Sequence, residues 1–124
     1  MTFLFVALGG MAGALIRFGL DTAFTGSRRA GRPRFPTATL IVNVAGSLLI
    51  GAAFGLLQRG GIDGGVYDAA AAGLAGGLTT FSSWSTATVL LWLDGSRRLA
   101  AANVTLNLVL SVCAVALGHL AATG

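Results

Sequence analysis

Glutamate and lysine are absent from this 124-residue chain, and only four aspartates balance its eight arginines. Charged residues make up 10% of the sequence, where a soluble domain carries about a quarter, so an ordinary cytosolic fold is excluded. One cysteine, Cys113, rules out a disulfide framework. One histidine, His119, and no pair of carboxylates within an apolar segment leave nothing for covalent or acid–base catalysis, and no enzyme is expected. Disorder is excluded by the opposite property, the shortage of polar residues.

What is present is apolar. Hydrophobic residues reach 55% and the mean hydropathy is +0.83. Four apolar segments follow one another, at about residues 3–24, 36–57, 66–93 and 99–122. Four spans of about 20 residues account for most of the chain and leave only loops, which predicts a single all-α transmembrane domain over residues 1–124. The N-terminal run lacks a basic leader and is longer than a signal peptide, so it reads as a retained helix. The third segment is longer than one crossing needs, and its surplus falls at Gly73, Gly76, Gly77, Thr79 and Thr80. A break is predicted there.

The isoelectric point near 11.2 would suggest a nucleic-acid partner in a soluble chain. Here the arginines lie between apolar segments, so membrane orientation accounts for them and no nucleic acid is expected. Glycine occurs 19 times, and the pairs Gly9/Gly13, Gly51/Gly55 and Gly73/Gly77 have the i,i+4 spacing that lets helix backbones approach in lipid. These pairs are expected to pack the bundle and a dimer interface. Tyr67 and Trp92 mark the two ends of the third segment, as aromatic belts do.

Polar residues recur inside the spans at helical spacing: Thr39, Asn43 and Ser47 on the second, Asn103, Asn107 and Ser111 on the fourth. Thr79, Thr80, Ser82, Ser83 and Ser85 surround the predicted break. Amides and hydroxyls in lipid must face protein or water, and two such stripes beside a broken helix suggest a lined pathway. No carboxylate sits near the middle of a span, which argues against a proton-coupled multidrug or guanidinium exporter. A path with neutral donors suits an anion. Phe81 and Trp84, three residues apart just after the break, offer positively polarised ring edges. Arg17 lies within snorkelling reach of an interface, one turn from Asp21, with which it is expected to pair.

The stretches Gly9-Gly-Met-Ala-Gly-Ala-Leu-Ile-Arg17-Phe, Thr39-Leu-Ile-Val-Asn43-Val-Ala-Gly46-Ser and Gly76-Gly-Leu-Thr-Thr-Phe81-Ser-Ser-Trp-Ser together resemble the Fluc (CrcB) fluoride channel family. The resemblance covers essentially the whole chain. It implies a multi-pass protein of a prokaryotic plasma membrane, assembled as an antiparallel dimer of four-helix subunits with two fluoride pores. It further implies export of cytoplasmic fluoride, and a structural Na+ held by main-chain carbonyls of Gly76 and Thr79. By the same carry-over Asn43, Phe81 and Ser111 line the fluoride path, Thr39 more weakly, and Arg17 is the vestibule arginine. This chain departs from the family pattern in having Trp84 where Phe is usual, and Asn107 where Tyr is common.

Loop arginines give an independent test of topology. Arg28, Arg29, Arg32, Arg34, Arg97 and Arg98 fall on one side of the membrane and only Arg59 on the other. An antiparallel homodimer needs one sequence to insert both ways, so this bias suggests a homologous partner of opposite orientation. A channel subunit that only completes such a partner is the remaining alternative. The charge rule predicts both termini outside the cytoplasm. A C-terminal fusion to a reporter active only outside should therefore be active and a cytoplasmic reporter silent. Activity of both reporters would mean dual insertion and remove the case for a fixed orientation.

Overall fold

In the computed structural model the structure describes residues 1–25 and 34–124, and every regular element among them is helical. Helix α1 is Thr2–Thr25 and α2 is Thr37–Gln58. Helix α3, Gly64–Asp68, runs into a π-helical stretch, Ala69–Ala75, and then into the single turn α4, Gly76–Leu78. Helix α5, Phe81–Leu93, and α6, Arg97–Thr123, complete the chain. Of the basic loop between the first two helices, Arg28, Arg29, Arg32 and Pro33 lie outside the described residues.

Among the described residues three stretches are long and apolar enough to cross a membrane: Thr2–Phe24, Thr37–Gln58 and Arg97–Thr123. The predicted third segment is a bent helix in pieces. Its break is confined to Thr79 and Thr80, whose backbones are extended (φ −76°, ψ 155° and φ −148°, ψ 121°). Gly73, Gly76 and Gly77, expected to share the break, remain helical. Their use is in packing.

Two seams hold the bundle together, and both depend on missing side chains. Where α1 crosses the π-helical stretch, a Cβ on Gly9 would lie 2.7 Å from the Ala69 carbonyl, and one on Gly73 2.8 Å from the Val6 carbonyl. Where α2 crosses α6, a Cβ on Gly51 would run into the Val115 carbonyl and one on Gly118 into the Leu48 carbonyl. The glycine pairs thus pack the bundle as expected: Gly13 and Gly77 also meet the backbone of the facing element, and Gly55 meets the Ala122 side chain and the His119 carbonyl.

The interior is thin. Among the described residues Val42 and Asn103 are the largest side chains that are fully buried, whereas Phe3, Met11, Leu15, Phe18, Val112 and Leu117 face outward. Such a surface would be untenable in water and is ordinary in hydrocarbon. Further polar contacts tie down the helix ends. The Asp63 carboxylate accepts from the Val66 N–H (2.9 Å) to start α3, Arg59 donates to the Ala122 carbonyl (2.8 Å) near the end of α6, and Arg97 lies over the Trp92 ring (4.7 Å).

The seams make a direct prediction. Gly51→Ala and Gly118→Ala should each destabilise the protein by about 1–3 kcal/mol, the usual cost of overpacking. Gly19, which has nothing within 4 Å of its would-be Cβ, should accept Ala with no loss. Thermal unfolding in detergent, followed for the three variants, checks the contrast.

Candidate functional site

A helix that stops inside an apolar bundle leaves main-chain groups that need new partners, since lipid supplies none. At this break the partners of the Thr79 and Thr80 main-chain groups can be traced. The Thr79 N–H completes α4 by donating to the Ala75 carbonyl (2.9 Å), and the Thr79 hydroxyl donates to the same oxygen (2.9 Å). The Thr79 carbonyl accepts from Nη1 of Arg17 on α1 (3.2 Å). The Thr80 N–H donates to Oδ1 of Asn43 on α2 (2.8 Å), and the Thr80 carbonyl accepts from Nδ2 of the same side chain (3.2 Å). The Thr80 hydroxyl accepts from the Ser83 N–H (3.1 Å) and so caps α5.

Asn43 therefore acts as a short piece of backbone, offering one acceptor and one donor to a residue that has left the helix. In an uninterrupted helix the Thr80 N–H would go to the Gly76 carbonyl. Asn43 diverts it, and the Gly76 carbonyl loses that donor. Gly46, one turn after Asn43, lets α2 come this close: a Cβ there would collide with the Thr79 methyl.

Arg17 reaches beyond its neighbours in sequence to the Thr79 carbonyl, 62 residues away. The reason is geometric: α1 packs against the segment leading into the break, which brings a half-buried guanidinium to an oxygen that has no helical donor. Phe81 and Trp84 meet edge to face, with ring centroids 5.3 Å apart and planes at 67°. Phe81 is exposed, whereas the Trp84 indole N–H is committed to the Asn103 carbonyl (3.2 Å). Trp84 thus has ring edges to offer and no free N–H.

The second polar stripe faces inward. Asn103 and Asn107 are buried, at 0% and 5% exposure, and Asn107 accepts from Nδ2 of Asn43 (3.0 Å). Spacing alone grouped these residues with Ser111 as a path lining. Instead they brace α5, α6 and α2 against one another, together with Thr88. Ser111 is half-buried one turn beyond Asn107, and Thr39 is buried one turn before Asn43. Among the described residues no group of three His, Cys, Asp or Glu side chains is placed to hold a metal, so a cation at the break would rely on carbonyl oxygens.

The chain is similar to known proteins over nearly its whole length. A family profile described as CrcB-like protein, Camphor Resistance (CrcB), matches residues 4–119. A "Fluoride-specific ion channel FluC" from Renibacterium salmoninarum is 46% identical over 121 residues, covering 95% of this chain and 96% of its own. A protein of the same description from Rhodospirillum rubrum is 41% identical over 128 residues, covering 98% and 95%. Another from Aeromonas salmonicida is 42% identical over 118 residues, covering 94% and 92%.

Asn43→Leu should leave the Thr80 N–H and carbonyl unpaired together, each at a cost of about 1–3 kcal/mol. Its unfolding midpoint should fall well below that of Ser47→Ala on the same helix face. Equal midpoints would mean that the break is held by something else.

Proposed function

The chain belongs to the CrcB family, and from that premise we propose that it is a fluoride-selective channel that exports cytoplasmic fluoride and so confers fluoride resistance. It is a multi-pass membrane protein, and a prokaryotic plasma membrane is the setting in which this export has a use. Hydrogen fluoride crosses a bilayer uncharged and ionises in a neutral cytoplasm, while an inside-negative potential favours exit of the anion. A passive, selective path is sufficient.

The observation that carries this reading is a break free of carboxylates, with donors and ring edges around it. Dehydration is the main barrier for so small an anion, and the wall must replace water without binding tightly. Asn43 and Ser111, with Thr39 one turn away, supply amide and hydroxyl groups. Phe81 and Trp84 supply ring edges, and Arg17 draws anions towards the mouth. Both Nδ2 protons of Asn43 are engaged within the subunit, so an anion at this residue would displace an existing acceptor, which favours weak and exchangeable contact.

The donor set also fits a structural Na+. The Gly76 carbonyl has lost its helical donor, and the Thr79 carbonyl, which accepts one bond from Arg17, has a second lone pair. These two oxygens would hold the ion, whose charge would pin the break. Four crossings per subunit, with α3 to α5 forming the third, and an antiparallel dimer complete the proposal. The arginine bias favours a homologous partner of opposite orientation over a homodimer.

The test is release of fluoride from liposomes containing the purified chain, alone and then with an oppositely biased homologue. Release of fluoride but not chloride is expected, and Phe81→Ile should slow it about tenfold, equivalent to about 1.4 kcal/mol of barrier. Release only with the homologue would identify a heterodimer. Retention of fluoride in both preparations would overturn the reading, and proton-coupled uptake of an organic cation would favour an exporter.

A further inference from the structure

We infer that Asn107, seated by Asn103, is a positioning residue that fixes which way the Asn43 amide faces and so sets the geometry of the break. The inference rests on the channel reading for its functional consequence and on hydrogen-bond polarity for its structure.

An asparagine side chain is nearly symmetric in shape, and only its neighbours decide which end is the donor. Here the decisions are linked. The Thr88 hydroxyl donates to the Trp84 carbonyl (2.8 Å), so it presents a lone pair to Nδ2 of Asn103 (2.9 Å); the same Nδ2 also reaches the Trp84 carbonyl (3.3 Å). Oδ1 of Asn103 is thereby turned to Asn107, whose Nδ2 donates to it (2.9 Å) and to the Asn103 carbonyl (2.9 Å). Only Oδ1 of Asn107 remains to face Asn43. It accepts from Nδ2 of Asn43 (3.0 Å), and Oδ1 of Asn43 is left in place to receive the Thr80 N–H (2.8 Å).

The series runs in one direction, Asn43 donating to Asn107, Asn107 to Asn103 and Asn103 to α5, and reversing one amide would set two donors or two oxygens face to face in a buried site. A reversed Asn43 would also turn an oxygen lone pair to where its amide protons now point, and a lone pair repels an anion. Two adjacent buried amides are costly in an apolar bundle unless each is satisfied, as both are here.

Asn107→Leu keeps the size and removes the hydrogen bonds; Thr88→Val removes one contact further back and is the gentler variant. Two readouts apply, with wild type as reference: fluoride release from liposomes, and backbone hydrogen exchange in the peptide holding Thr80 against that at the α2–α6 seam. Asn107→Leu should slow release about tenfold, speed exchange around Thr80 about tenfold and leave the seam unchanged. Thr88→Val should shift both in the same direction by about twofold, and adding Asn107→Leu to Asn43→Leu should change release no further. Exchange that rises equally everywhere would mean a general loss of stability and overturn the inference, as would unchanged exchange at Thr80. If wild type releases no fluoride, the channel reading falls, and exchange at Thr80 still decides whether Asn107 positions the break.

Discussion

Two hydrogen bonds between the Asn43 side chain and the Thr80 main chain are the constraint on which the rest depends. Without them a helix interrupted inside lipid would expose an amide and a carbonyl to hydrocarbon, and the continuous helix would be favoured. With them the chain can leave the helix at Thr79, restart it at Phe81 under the Thr80 cap, and turn the Gly76 carbonyl loose from its helical donor. The same two bonds place Phe81 and Trp84 immediately after the interruption. The site is therefore a by-product of how the break is satisfied.

Packing makes that satisfaction possible. The α2–α6 seam at Gly51 and Gly118 brings the Asn43 and Asn107 helices together, and the α1 seam at Gly9 and Gly73 brings Arg17 to the Thr79 carbonyl. In lipid there is no hydrophobic drive between helices, so close backbone approach and internal hydrogen bonds carry the association. The apolar residues that would form a core in a soluble protein are turned outward instead.

Much of this was legible in the sequence. Missing charge and long apolar runs gave the helical membrane class, and paired threonines in an over-long segment marked the break to within a few residues. Glycine spacing located the seams but not their owners, because i,i+4 spacing defines a face and says nothing about which helix covers it. The same limit applies to Arg17, whose bond to the Thr79 carbonyl spans 62 residues, and to Asn103 and Asn107, whose spacing defines a stripe but not its inward direction. The commitment of the Trp84 indole to the Asn103 carbonyl had no signal at all, since it depends on a tertiary distance. The motifs around Arg17, Asn43 and Phe81 carried the family likeness that the comparisons bear out.

The claim that a carboxylate-free, internally braced break conducts an anion passively is tested most directly by current across a planar bilayer holding the assembled protein. With opposed fluoride and chloride gradients and a pH difference, the reversal potential should follow the fluoride gradient alone. A potential that tracks chloride or protons, or the absence of any fluoride current with a homologous partner present, would contradict the account.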